Sequence, residues 1–242
     1  MKRQDITFVL VRPRYPGNIG STARILKNMG FSKIHLVAPS VLPAHPEALR
    51  LAVGAAGLLK KAKVFPTIEA ATKGLSFLIG TSRRTGKHRH DFVSLPDLPA
   101  ELPKGQKIGL LFGAEERGLT NRELAYCHLV SMIPSNPLYP SLNLAQAVAV
   151  VAYQLRTSKT VQQKVLPVEL APVEDIEGMY QHLEKTLTKI DFFPDDSSFH
   201  MMRSLRQLFG RTGLTAREVR ILRGICRQIV WATTKEPPEK IR

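Results

Sequence analysis

Short, almost continuously apolar runs alternate with helical patterns over roughly the first two thirds of the chain. Residues 6–11, 34–38, 77–80, 108–112 and 129–133 have the length and β-rich composition of strands. Between and after them, apolar positions recur with helical spacing over 19–29, 47–53, 68–73, 121–127 and 142–156. Strands alternating with helices predict an α/β fold. Because the strands are apolar at nearly every position, they predict a parallel sheet covered by helices on both faces.

The segment 142–156, LNLAQAVAVVAYQLR, is apolar around most of its circumference. One face packed on a sheet does not account for that, whereas a second partner surface, such as another subunit, would. After Thr157 the pattern changes to a polar, proline-containing stretch that reads as a linker. Beyond it the strand patterns vanish, and helical patterns cover 173–190, 198–209 and 216–232. The organisation is therefore a domain over 1–160, a linker over 161–172 and a small all-helical domain over 173–242. The third helical pattern opens on a capping box, Thr215 to Glu218. It sets Leu222, Ile225, Cys226 and Ile229 on one face and Arg220, Arg223 and Arg227 on another. From residue 203 to 242 there are ten Lys or Arg against three Asp or Glu, which makes this domain a candidate RNA-contacting surface.

Charge extends that picture to the whole chain. At 242 residues, 43% hydrophobic and 23% charged, the protein is expected to fold and to be soluble. Its 35 Lys and Arg against 20 Asp and Glu give +15, which points to a polyanionic partner. Nucleic acid fits better than a membrane surface, because the charge is spread along the sequence instead of concentrated on a basic helix beside a lipidation signal. The apolar run at 6–11 is too short for a signal-peptide core, and no stretch has transmembrane length. Two distant cysteines, Cys127 and Cys226, suggest neither a disulfide scaffold nor a zinc site. A reducing, cytoplasmic location is the expectation.

Four loops carry candidate chemistry. The first follows the opening strand: Pro16-Gly17-Asn18-Ile19-Gly20 and then Arg24. A strand, a turn and a helix place polar groups at the carboxyl end of the sheet, where open α/β folds bind ligands. Asn18 either caps the helix or enters the site, and Arg24 either holds a phosphate bidentately or is an exposed helix residue. A dinucleotide fingerprint is missing, since Gly-x-Gly-x-x-Gly is absent there and no acidic residue follows the next strand. In the second loop, Gly80-Thr81-Ser82-Arg83-Arg84 and Lys87-His88-Arg89-His90 present four basic residues and two histidines within eight positions, which suits phosphate. Nothing nearby supplies a third ligand to His88 and His90, so no metal is expected. The third loop is Phe112-Gly113-Ala114-Glu115-Glu116-Arg117-Gly118-Leu119. The fourth runs from Ile133-Pro134 to Ser141-Leu142-Asn143-Leu144. Together, loops at the carboxyl ends of strands would form one pocket lined by glycines and backbone amides, suited to a nucleoside-like ligand.

In order and spacing, Pro-Gly-Asn-Ile-Gly with Arg24, Phe-Gly-x-Glu-x-x-Gly-Leu, and Ile-Pro with Ser-Leu-Asn-x-x-x-Ala resemble the three motifs of the SpoU/TrmH branch of SPOUT RNA methyltransferases. Thr81-Ser82-Arg83-Arg84, the tail segment 205–211 and Ile221-Leu222-Arg223-Gly224 extend the likeness to enzymes that methylate nucleotide 32 of tRNA. The resemblance implies a SPOUT fold with a trefoil knot and transfer of a methyl group from S-adenosylmethionine to a ribose 2′-hydroxyl. It also implies a homodimer that completes each site. Arg24, Asn18, Ser141 and Asn143 would be the catalytic group. Thr81, Ser82, Arg83, Gly113, Glu115, Ile133, Ser141, Leu142 and Asn143 would surround the donor. Arg83, Arg84, Lys87 and Arg89, with Arg220, Arg223 and Arg227 of the tail, would hold tRNA. Two other readings fit the same motifs: a 2′-O-methyltransferase for another tRNA position or for rRNA, and a non-catalytic RNA-binding protein of the same fold. A nucleotide-dependent enzyme of small-molecule metabolism leaves the basic tail unexplained.

Overall fold

Seven strands, all parallel to their neighbours, make a single sheet in the computed structural model, which describes residues 5–83, 92–158, 169–194, 198–210 and 213–235. They are β1 (Ile6–Val11), β2 (Ile34–Val37), β3 (Lys63–Phe65), β4 (Phe77–Thr81), β5 (Phe92–Ser94), β6 (Ile108–Phe112) and β7 (Leu129–Met132), in the order β3-β2-β1-β6-β4-β7-β5. All five expected strands form. β3 and β5 escape the sequence pattern because each is a three-residue edge strand, too short for a periodicity, and neither has a buried residue. By contrast β1 and β6 are buried at every position, as double-sided coverage requires.

The order has a consequence for the site. β6 enters between β1 and β4, and β7 between β4 and β5, so late strands lie between earlier ones. The carboxyl ends of β1, β6, β4 and β7 thus stand side by side, with Leu10 paired to Phe112, Gly80 to Leu111 and Thr81 to Ser131. Each of the four candidate loops leaves from one of these ends.

The helices of this unit are α1 (Pro16–Met29), α2 (Pro46–Ala52), α3 (Ala56–Lys60), α4 (Ile68–Thr72), α5 (Leu98–Glu101), α6 (Asn121–Leu124) and α7 (Leu144–Thr157). α3 and α5, a turn or so each, carry no usable sequence periodicity. α1 starts three residues earlier than the pattern predicts, with Pro16 in its first turn, where a missing N–H costs nothing. It ends at Gly30, whose φ of 79° is the left-handed conformation glycine adopts freely. Gly20 lets α1 approach α2, since a Cβ there would lie 2.2 Å from the Ala48 carbonyl oxygen. The core beneath joins Phe8, Phe31 and Phe112, with Phe8 edge-on to Phe31 and stacked on Phe112. α7 buries Leu144, Val148, Val151 and Ala152 and leaves Val150 40% and Tyr153 57% exposed. The extra apolar stripe read in its sequence is therefore on the outside of the single chain.

The chain divides into two compact units, Met1–Pro167 and Val168–Arg242. The second is built from α8 (Val173–Lys189), α9 (Ser198–Gly210) and α10 (Ala216–Lys235). Residues 161–168 of the expected linker lie outside the described residues, whereas Leu170 and Ala171 at its end are buried in this helical unit, Leu170 bridging Thr215. Ala171, Ile176, Met179, Tyr180, Leu187, Met202, Leu214 and Val219 form its core. Arg206 grips Glu177 with two bonds of 2.6 and 2.7 Å, and its guanidinium lies 4.3 Å from the Tyr180 ring centroid. On α10 the inward face holds Val219, Leu222 and Cys226, but Ile225, expected there, is 50% exposed and shares an outer stripe with Ile221. It sits about 100° from Cys226, far enough to leave the core.

Candidate functional site

Three of the four loops line one cleft, formed among others by Thr81, Ser82, Arg83, Phe112, Gly113, Glu115, Gly118, Leu119, Ser131, Ile133, Ser141 and Leu142, and the first loop is tied to its rim through Asn18. The loops are locked together by polar side chains before any ligand arrives. Glu115, after β6, accepts hydrogen bonds from the Arg14 N–H at 3.1 Å, the Tyr15 N–H at 3.3 Å and the Asn18 side-chain amide at 2.8 Å. A carboxylate thereby caps the N-terminus of α1, satisfying orphan donors and facing the positive end of the helix dipole. Tyr15 is the N-cap residue and contributes no side-chain bond. Asn18 is therefore not the cap. It lies inside the first turn and turns its amide to the loops, accepting from Asn143 Nδ2 at 2.9 Å while donating to Glu115.

Asn143 does two jobs. Its Oδ1 caps α7 by accepting from the Ala145 N–H at 2.9 Å and the Gln146 N–H at 3.4 Å, and Gln146 closes the capping box. Its amide nitrogen reaches Asn18. The chain Glu115–Asn18–Asn143 thus ties the first, third and fourth loops at one point.

A second tie involves Arg12, whose charge has no assigned role in the sequence reading. Its guanidinium forms a bidentate pair with Glu123, one bond of which is 3.2 Å, and reaches the Gly118 carbonyl at 3.4 Å. Glu123 is also half of the Thr120 capping box that starts α6. The sequence signal was present: Thr120-Asn-Arg-Glu123 is a capping-box spacing. Arg12 itself has φ 53°, so the pair holds β1's exit in a left-handed conformation that a non-glycine residue adopts at a cost.

Gly113 is needed for close approach. A Cβ on it would lie 2.0 to 2.4 Å from the backbone of Gly118 and Leu119, so the third loop folds back on itself only with glycine there. Thr81 donates its hydroxyl to the Leu111 carbonyl at 3.0 Å, and Ser82 N–H donates to the Ser131 carbonyl at 3.1 Å. Ser131 was not among the sequence candidates because it sits inside a strand pattern. It is 1% exposed, and its hydroxyl has no hydrogen-bond partner among the described residues. Behind this wall the His128 ring stacks on Phe77, its Nδ1 accepts from the Leu78 N–H at 3.1 Å, and burial pushes its pKa down to about 4. Burial drives the neighbouring Cys127 thiol up, which keeps it a poor nucleophile.

Not every candidate is brought together. Ser141, Leu142, Ile133, Thr81, Ser82, Arg83, Gly113 and Glu115 line the cleft, with Asn18 and Asn143 bound to its rim. Arg24 is exposed on α1, makes no polar contact among the described residues, and is not part of the cleft wall. It lies six residues beyond Asn18, about 240° around the helix and about 9 Å along it. Arg84, Lys87 and Arg89, together with His88 and His90, lie outside the described residues. Arg220, Arg223 and Arg227 are exposed on α10 in the other unit, where Arg223 and Arg227 help to depress the His182 pKa after burial. Among the described residues, no group of three or more His, Cys, Asp or Glu is placed to hold a metal ion. None of the helices there is long and apolar enough to cross a membrane.

Comparison with known proteins adds a family to this geometry. The SpoU rRNA methylase family model matches residues 5–153, and the model of the tRNA methyltransferase TrmJ C-terminal domain matches 174–239. The tRNA (cytidine/uridine/adenosine-2′-O-)-methyltransferase TrmJ of Pseudomonas aeruginosa is 38% identical over 236 residues, 91% of each chain. The crystal structure of TrmJ from Z. mobilis superposes with a TM-score of 0.81 at 31% identity, covering 93% of this chain and 98% of that one. A solved protein described by the 2-OH methylation of C/U34 on tRNA gives 0.52 at 28% identity. It covers 64% of this chain and 95% of its own.

Proposed function

Because the chain belongs to the SpoU methylase family and ends in a TrmJ-type C-terminal domain, we propose that it methylates the ribose 2′-hydroxyl of a tRNA nucleotide, number 32 of the anticodon loop, using S-adenosylmethionine. The observation that carries this reading is the Glu115–Asn18–Asn143 chain, which fastens three family motifs around one cleft at the carboxyl ends of four neighbouring strands. The residues present suit the donor. Gly113 lets the third loop fold back on its own backbone to form one wall, and Ser131, whose buried hydroxyl has no partner among the described residues, is among the cleft's lining residues. When bound there, S-adenosylmethionine supplies an electrophilic methyl group on a positively charged sulfur.

The chain's own task is to hold and activate the hydroxyl. A ribose hydroxyl is far too weakly acidic to ionise unaided, so the site must stabilise the oxygen as negative charge develops on it. Arg24 is our candidate for that work. A guanidinium is a poor base with directed N–H donors, so Arg24 positions the ribose and polarises its oxygen while the hydroxyl proton passes to water. Since Arg24 and Asn18 point to different sides of α1 in one chain, we assign Arg24 to the cleft of a second subunit. The exposed Val150 and Tyr153 of α7 supply apolar surface for such a homodimer. Ser141 and Asn143 complete the catalytic group. Arg83, with Arg84, Lys87 and Arg89, would take tRNA phosphates near the site, and Arg220, Arg223 and Arg227 would do so on the tail. A knot in the threading of β6 and β7 and a cytoplasmic location complete the reading.

Methylation at position 34 is the second reading, favoured by the C/U34-linked neighbour. That neighbour matches 64% of this chain while covering 95% of its own, so the match leaves over a third of this chain, as much as the helical tail occupies, without a counterpart. The tail favours position 32. The test of the active site is Arg24→Ala. It should reduce methyl transfer to tRNA by about 100-fold or more while donor affinity, measured by calorimetry, stays within a few-fold. Equal losses in both would make Arg24 structural.

A further inference from the structure

Ser131 is the one cleft residue whose buried polar atom has no hydrogen-bond partner among the described residues. We propose that its hydroxyl is a hydrogen-bonding group for the nucleoside base of the methyl donor, an inference that rests on reading the cleft as the donor site.

The position of Ser131 argues for a ligand contact. It pairs with Thr81 on one side and Val93 on the other. Thr81 Oγ1 is satisfied by the Leu111 carbonyl, and the Ser131 carbonyl is engaged by the Ser82 N–H. The Oγ of Ser131 alone is left over, at 1% exposure. A hydroxyl stranded in an apolar strand is unfavourable in the free protein, and alanine would remove that burden. A partner that arrives with the ligand accounts for it.

Depth identifies the part of the ligand. The charged side chains of the cleft, Arg83, Glu115, Glu116 and Arg117, all lie on loops beyond the strand ends. Ser131 lies within β7, and the cleft's apolar side chains include Phe112, Leu119 and Leu144. A flat heteroaromatic base with a polar edge suits the strand-end floor where Phe112 and Ser131 lie, and the donor's charged amino-acid group suits the charged loops.

The experiment is calorimetry of wild type, Ser131→Ala and Ser131→Cys with S-adenosylhomocysteine and with 5′-methylthioadenosine, which has the base and ribose but no amino acid. Thermal unfolding of each free protein runs beside it. Both variants should bind both ligands about five- to tenfold more weakly, the loss expected for one hydrogen bond. The free Ser131→Ala protein should unfold at the same temperature as wild type or higher. Unchanged affinity, a loss confined to S-adenosylhomocysteine, or a fall in unfolding temperature that tracks the affinity loss would each overturn the assignment and leave the donor site standing. A wild-type protein that binds neither ligand would overturn the donor site, and this inference with it.

Discussion

Glu115 accepts three hydrogen bonds, from the Arg14 and Tyr15 N–H groups and the Asn18 amide, and anchors the rim of the cleft, so a single carboxylate joins segments about a hundred residues apart in sequence. His128 shows how burial acts on a single group in the adjoining wall. Its folded pKa is lowered from 6.5 to about 4 because the ring cannot take up a proton without a charge in an apolar site. The unfolded chain protonates first as pH falls. Stability from this residue is therefore complete above pH 6.5 and is lost as pH drops toward 4, by about 3 kcal/mol in all. An NMR titration should find the ring changing near pH 4, and a midpoint near 6.5 would contradict the burial argument. At this scale the sequence was legible where a residue sat in a loop motif. Asn18, Glu115 and Asn143 stand out that way and are joined by hydrogen bonds, but whether Asn18 caps α1 needed the actual start of the helix at Pro16. Arg12 was left without a role because its partner Glu123 is 111 positions away. Ser131 was invisible because a serine in an apolar strand carries no motif.

Strands and helices were mostly legible because burial on both faces of a parallel sheet writes itself as continuous apolar runs. What failed were elements of one turn or three residues, α3, α5, β3 and β5, for which no period fits in the window. Order in the sheet was not legible either, since nothing local tells β6 to enter between β1 and β4. That order is what aligns the four loops. The third loop also depends on a close approach invisible in sequence. Gly113→Ala should cost about 3 kcal/mol or more in chemical denaturation and abolish donor binding, because backbone at 2.0 Å cannot yield as a flexible side chain would. A stable Gly113→Ala protein with normal donor affinity would show that the loop has room to move.

For the molecule as a whole, the central question is how Arg24 meets the cleft. In one chain it is exposed on another side of α1 from Asn18 and outside the cleft wall, and α7 leaves Val150 and Tyr153 exposed. Mixed dimers of Arg24→Ala and Gly113→Val subunits should recover up to about half of wild-type activity, since one of two sites then has both an intact cleft and an intact arginine. Activity no higher than in either parent variant would place Arg24 in its own subunit's cleft. The charge of +15 suits an enzyme whose substrate is a polyanion. That charge was readable from composition, whereas the nucleotide chosen was not. Incubating the purified protein with S-adenosylmethionine and unmodified host tRNA, then mapping the product by mass spectrometry, tests the claim most directly. One 2′-O-methyl group at nucleotide 32 is the predicted result; no methyl transfer, or methylation confined to another position, would contradict it.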